Sequence, residues 1–281
     1  MNRKPTTSLL VLYYIILVFA SLFAFYPVWF AILASGRLGE RLYTLNLLGM
    51  FLPTEWTFEN YRAMLFDKPL LMWLKNSLYV ASITSVASLL IATSAAFALS
   101  RFRFYGREFL LIFLLAIQAF PGVLSLVAVA QILTALGLYK THEGLIVAYT
   151  IGTLVFSTWN MKGYFDTIPI DLEEAAMIDG CGPVDSFIRI ALPLARPALA
   201  ITALFGFMAG WGDYIFASVL IPAPDSMKMA VTGLYSLATD MSVPWGYFAA
   251  GGMIVVLPTL IVFLALQRFL VSGLTVGGVK G

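Results

Sequence analysis

Charge is scarce in this chain. Asp, Glu, Lys and Arg together make up 11% of its 281 residues, where soluble domains carry about 25%. One cysteine, Cys181, rules out an internal disulfide, and one histidine, His142, rules out a histidine-rich metal site. Gly-Lys never occurs as a dipeptide, so no G-x-x-x-x-G-K-[ST] loop can cradle a nucleotide phosphate. A Gly-x-Ser-x-Gly elbow and a His-Glu-x-x-His helix are equally missing. No stretch is basic enough to attract nucleic acid, and the formal net charge of +2 says little by itself. No repeat with a period of about 20 to 50 residues is visible, which sets solenoids aside.

What is there is apolar. Hydrophobic residues make up 60% of the chain, gathered in runs long enough to cross a bilayer. The chain therefore reads as an all-α polytopic membrane protein, a single transmembrane domain over residues 1–281. Its first span runs from about Leu9 to Ser35, behind a short basic start with Arg3 and Lys4. That run is too long for the apolar part of a signal peptide and no clean cleavage site closes it, so it reads as retained. Five more spans are expected at about 76–100, 109–133, 144–164, 197–220 and 245–269. Residues 36–75 form a long loop whose Trp56, Phe58 and Tyr61 suit the outer membrane interface.

Several spans carry marks of their own. Thr84, Ser88, Ala92, Ala96 and Ser100 form a ladder of small residues four apart, and Gly206-x-x-x-Gly210 is a second close-packing signal. Pro121-Gly122 interrupts the third span and Pro258 the sixth. A break within lipid needs protein or a wet cavity to satisfy the freed backbone, so Pro121-Gly122 either lines a pathway or is a packing kink. Intramembrane polar groups are costly, which singles out Asp213 within Trp211-Gly212-Asp213-Tyr214, with Gln118 and Asn160 as softer candidates. Asp213 either faces a pathway, pairs inside the bundle, or sits near the outer end.

Lysine and arginine set the orientation. With both termini cytoplasmic, the inner segments hold Arg3, Lys4, Arg101, Arg103, Arg107, Lys162, Arg189, Arg196, Arg268 and Lys280, ten in all. The outer segments hold Arg37, Arg41, Arg62, Lys68, Lys75, Lys140 and Lys228, seven. The connection between the fourth and fifth spans, about 165–197, then lies inside.

That connection is polar yet built like structure. Asp171 is placed to cap a helix, with Glu174 completing an Asp variant of the capping box. Leu172, Ala175 and Ala176 share one helical face, and Gly180 stops the helix. Gly182-Pro183 restarts the chain, Val184, Phe187, Ile188 and Ala191 make a second stripe, and Pro193 and Pro197 are expected to end it. Glu174-Ala175-Ala176, then Gly180, then Ile190-x-Leu192-Pro193 resembles the EAA loop of permease subunits of ATP-binding-cassette (ABC) importers. Phe120-Pro121-Gly122, Leu136-Gly137-Leu138, Glu143-Gly144-Leu145-Ile146 and the closing Gly273-Leu274-Thr275 to Val279-Lys280-Gly281 are similar to its sugar branch, the maltose-type permeases above all. Two departures stand out. Trp211-Gly212-Asp213 replaces a common Trp-Asn-Glu or Trp-Asn-Asp, and Cys181 stands where Ala is usual.

The resemblance implies a type I ABC importer permease architecture with six transmembrane helices, multi-pass in the plasma (inner) membrane of a prokaryote. It implies three kinds of partner besides membrane lipid: a second, different permease, two ATPase subunits and an extracytoplasmic solute-binding protein. No nucleic acid is expected. This chain would be no enzyme and hold no cofactor, ATP and Mg residing in the ATPases. Glu174, Ala175, Ala176, Asp179, Gly180, Ile190, Leu192 and Pro193 would couple to the ATPases. Gln118, Pro121, Gly122, Asn160, Trp211, Asp213 and Tyr214 would be pathway candidates for a maltodextrin, another sugar or glycerol phosphate. A secondary, ion-coupled transporter is the alternative, but it needs coupling carboxylates near mid-membrane, and Asp213 is the only acid inside a span. A membrane-embedded enzyme needs clustered catalytic groups in the spans, and none occur.

Overall fold

A backbone in hydrocarbon must satisfy its own N–H and C=O groups, so the apolar runs are expected to fold as helices. The structure, a computed structural model, describes residues 6–37, 47–53, 56–222, 224–238 and 243–276. Among the described residues the regular elements are helical throughout. We label the main ones α1 (Thr7–Ser35), α2 (Leu70–Arg101), α3 (Arg107–Gln118), α4 (Leu126–Ala135), α5 (His142–Phe165), α6 (Asp171–Ile178), α7 (Pro183–Ser186), α8 (Arg196–Gly212), α9 (Ile215–Leu220) and α10 (Trp245–Val276). Among the described residues, four helices are long and apolar enough to cross a membrane, or up to six spans if each of two bent pairs counts as one.

Three expectations about breaks need correction. The third apolar run turns through 89° between α3 and the segment Gly122–Ala135, far more than a kink. Pro258, by contrast, sits inside an unbroken α10. A proline there removes the bond to the Ile254 carbonyl, four residues back, and the indole Nε1 of Trp211 donates to the neighbouring Val255 carbonyl at 3.2 Å. The fifth run, read as continuous, breaks at Asp213, where the backbone turns extended (φ −78°, ψ 135°) before α9 begins. The long loop over 36–75 is also partly helical: it holds short turns at Leu47–Phe51 and Glu59–Arg62, and α2 starts at Leu70. Residues 38–46 and 54–55 of that loop, and the closing segment from residue 277, lie outside the described residues.

Two compact units emerge from the packing: Met1–Leu70 with Leu234–Ile254, and Leu71–Gly233 with Val255–Gly281. In the first, Asn60 ties the end of α1 by donating to the carbonyls of Ser35 and Arg37 at 2.9 and 2.7 Å. Residues 7–28 of α1 are exposed throughout. The expected interface aromatics form a chain of rings, Trp56 to Phe58 to Tyr61, with centroids 6.0 and 6.2 Å apart.

The second unit is held by close helix contacts. Thr84, Ser88, Ala92 and Ala96 of the ladder are all buried. A side chain added at Gly210 would meet the Ala81 Cα at 2.7 Å, and one at Gly206 the Ser88 Oγ at 2.6 Å. The two small-residue signals therefore face each other, and glycine is needed for the approach. Ser85 Oγ donates to the Ala203 carbonyl at 2.6 Å across the same contact. On the other side of α8, Asn160 donates to Thr202 Oγ1 at 2.9 Å.

Candidate functional site

The Glu174 loop's first helix begins one residue earlier than its capping signal suggests. Ile170 already has helical dihedrals (φ −64°, ψ −28°) and is the N-cap, with no side-chain cap bond. The amides of Leu172 and Glu173 are taken by the Pro169 and Ile170 carbonyls at 3.3 and 2.9 Å, so Asp171 lies inside the first turn and the capping box does not form. Asp171, Glu173 and Glu174 instead put three acids in the first turn, where the helix dipole favours negative charge.

Gly180 ends α6 as expected, at φ +95°. The Cys181 amide reaches the Ala176 carbonyl at 3.0 Å and the Gly180 amide the Met177 carbonyl at 3.1 Å. That pair of bonds is a Schellman motif, and its left-handed residue has to be glycine or pay a side-chain strain. Asp179 holds the position just before it. Pro183 opens α7 at the first helical position. The helix then widens into a π turn over Phe187–Ala191 and tightens again over Leu192–Leu194, so Pro193 does not end it. The ring of Pro193 would press on the Arg189 carbonyl in a regular α-turn, and the wider turn relieves that contact. The chain bends at Ala195 instead, by 81°, and Pro197 sits in the first turn of α8.

The loop is anchored on its inner side. Phe187 packs on Phe97 (centroids 4.5 Å apart), and Ala191, Ala195 and Leu192 share a cluster with Met161, Phe165 and Ile168. Sequence reasoning singled out Glu174, but Glu173 is the buried acid. Its Oε1 accepts from Arg101 Nε at 2.8 Å and pairs with Nη2 at 2.7 Å, and the two side chains are only 6% and 9% exposed. Arg101 also donates to the Ile168 carbonyl and to Ser100 Oγ, each at 3.1 Å. Ser100 Oγ donates to Asp166 Oδ1, and Lys162 Nζ to Asp166 Oδ2, each at 2.6 Å. Burial pushes the Asp166 carboxyl up, but the hydrogen bonds from Lys162 and Ser100 outweigh it and hold the group below its usual range.

The outer side of the loop is a different surface. Ile178 is 87% exposed and Val184 68%, and Leu172, Met177 and Ile188 are exposed beside them. Glu174, Ala175, Asp179 and Pro193 are exposed as well, while Ala176, Ile190 and Leu192 are half-buried. An apolar ridge edged by carboxylates, on a loop fixed at both ends, is a surface built for protein contact.

The pathway candidates separate into two groups. Gln118 and Gly122 line a cleft of about 540 Å³ at the right-angle break, together with Ser125, Gly152 and Phe216. Pro121 makes the break, with extended backbone at ψ 114°. Asn160, Trp211, Asp213 and Tyr214 are not on that cleft. Asn160 and Trp211 are packing groups: Trp211 is 5% exposed and stacks on Phe207 at 5.4 Å. Asp213 Oδ2 accepts from the Tyr149 hydroxyl at 2.8 Å and from the amides of Phe216 and Ala217 at 2.8 and 3.2 Å. It is the side-chain cap of α9, one layer behind Phe216 of the cleft. Tyr214 bridges the two helices in sequence, between that cap and α9.

The chain is similar to known transport proteins. Residues 88–276 match the family described as the binding-protein-dependent transport system inner membrane component. The chain is 36% identical to the galactooligosaccharides transport system permease protein GanQ of Bacillus subtilis, over 95% of this chain and 94% of that one. It is 37% identical to the maltodextrin transport system permease protein MdxG of the same organism, over 95% of each. Identity is 42% to the maltose/maltodextrin transport system permease protein MalG of Salmonella typhimurium, over 76% of this chain and 73% of that one. A chain from the crystal structure of a bacterial ABC transporter, involved in the import of the acidic polysaccharide alginate, shares the fold. Its TM-score is 0.80 at 23% identity, over 95% of this chain and 99% of that one. These relatives support the importer reading and give the ion-coupled alternative nothing. The chain is an integral membrane protein that belongs to the binding-protein-dependent transport system inner membrane components, the permease subunits of ABC importers.

Proposed function

We propose that this chain is one of two unlike permease halves of a sugar importer in the inner membrane of a prokaryote. Both termini and the Glu174 loop lie in the cytoplasm, as the lysine and arginine balance favours. Two ATPase subunits supply ATP and Mg chemistry, and an external binding protein delivers the solute. An oligosaccharide of the maltodextrin kind is the favoured cargo, because relatives named for galactooligosaccharides, maltodextrin and maltose span most of the chain. Gln118, Ser125 and Phe216 at the break suit a solute with hydroxyls and apolar CH faces.

The observation that carries this reading is the exposed ridge of Leu172, Met177, Ile178, Val184 and Ile188 on a loop rigidly anchored beneath. Closure of the ATPases on that ridge pushes the loop as a body and rocks the helices attached to it. Gly180 holds the angle between the two halves of the ridge. Gly180→Ala puts a side chain at φ +95°, at a cost of about 1 kcal/mol or more, with open space around it. The variant is expected to insert normally and to lose ATPase association or solute-stimulated hydrolysis. The test is reconstitution with the ATPase subunits that copurify. Wild-type association, hydrolysis and transport in a Gly180→Ala, Glu174→Ala double variant would reduce the loop to a mere connection.

A further inference from the structure

Buried charges in a membrane protein demand a reason, since an ion pair is a costly way to fill a core. Arg101 is the last residue of α2 and Glu173 stands in the first turn of α6. Each charge thus sits at the helix end whose dipole favours it. Around them runs one continuous chain of contacts: Glu173 to Arg101, Arg101 to Ser100 and to the Ile168 carbonyl, Ser100 to Asp166, Asp166 to Lys162. Its members come from the end of α2, the end of α5, the turn after α5, and the docking loop. An apolar contact could fill this space, but it would let α6 slide. A guanidinium fork held at four acceptor contacts does not, because each contact has a direction as well as a distance.

From this geometry we infer that Arg101 is a positioning residue for energy coupling. It locks the first half of the docking loop, through Glu173, to the ends of two membrane helices, so that a push on the loop moves both. The inference deepens the docking role proposed above and rests on it for its functional half. Glu174, next in sequence, faces out from the same turn and remains free to contact a partner. The two adjacent acids divide the work, one holding the loop and one presented on its surface.

The test has two arms that fail separately. Glu173→Gln removes one charge and strands the other, so it risks misfolding. Arg101→Met, Glu173→Met removes both buried charges and leaves no unpaired ion, so insertion and assembly are expected to survive. The first arm uses the full chain alone in lipid nanodiscs, in a Cys181→Ser background, with spin labels on Ile178→Cys and Leu90→Cys. The distance distribution between the labels is expected to be narrow with the clamp and clearly broader, or displaced, in the double Met variant. An unchanged distribution overturns the inference. The second arm uses the assembled transporter. Solute-stimulated ATP hydrolysis per complex is expected to fall tenfold or more in the double Met variant, with basal hydrolysis and ATPase association kept, and Arg101→Lys to recover part of the loss. Full stimulation in a well-assembled double Met variant would also overturn it. If the wild-type chain fails to bind ATPases at all, the docking reading falls, and the first arm still decides whether Arg101 sets the loop.

Discussion

Asp213 accepts three hydrogen bonds on one carboxylate oxygen, and that predicts an asymmetry between its substitutions. Asn keeps an acceptor and is as good a helix cap as Asp, so Asp213→Asn should assemble and transport near the wild-type level. Asp213→Ala loses the cap, about 0.5–2 kcal/mol, and strands the Tyr149 hydroxyl, about 1–3 kcal/mol more. The thermal midpoint of the purified protein should drop for Ala and hold for Asn, and Tyr149→Phe should recover part of the Ala loss. A drop in transport with Asn at unchanged stability would return Asp213 to the pathway. The sequence flagged this residue by polarity alone, and its role as a cap was hidden because no turn signal other than Gly212 marks the start of α9. The acids of the docking loop show a second limit. Neighbours on a helix point about 100° apart, so a one-residue error in where α6 starts exchanges the buried Glu173 for the exposed Glu174. Asp171 looks like the cap, but the helix begins one residue before it, at an N-cap Ile170.

Helix pairing turns on the Gly206 and Gly210 contact with α2. Gly210→Ala forces a methyl to within 2.7 Å of the Ala81 Cα, and backbone cannot step aside as a long side chain can. Overpacking of this kind costs about 1–3 kcal/mol, so the amount of folded protein extracted from membranes should fall. Gly212→Ala is the control. Nothing stands within 4 Å of that position, and its level should match wild type. The apolar runs themselves were legible, because length and composition set them and lipid leaves helix as the only outcome. Proline was the ambiguous signal. Whether it breaks a helix depends on its tertiary surroundings: α10 runs unbroken through Pro258, with Trp211 bonded to Val255 nearby, whereas Pro121 begins a right-angle turn beside a cleft. The π turn ahead of Pro193 is unreadable for the same reason, since proline can be absorbed by a wider turn as readily as by a stop.

For the whole molecule, orientation is the prediction on which the rest hangs. Ile178 and Ser226 are both exposed and belong to loops that the charge balance puts on opposite sides. Ile178→Cys and Ser226→Cys, each in a Cys181→Ser background, should react with an impermeant thiol reagent from opposite faces. Labelling of Ile178→Cys from outside intact cells would invert the topology and remove the docking role. The small-residue ladder, the Glu174 loop and the Pro121-Gly122 break were all visible as patterns, while the links between them were not, because they join residues far apart in sequence. One feature of α1 reaches into the life history of the protein. From residue 7 to residue 28 it presents exposed side chains on every face, with Phe19 and Phe23 among the most open. Once inserted, α1 is held within the described residues mainly at its Ser35 end, and most of its length is left to lipid until another chain arrives. A newly made copy is therefore an orphan with a visible mark, open to the proteases that patrol membranes for unclaimed helices. If a second permease pairs with this chain as proposed, the chain's steady-state amount should follow that permease's supply more closely than the rate of its own synthesis.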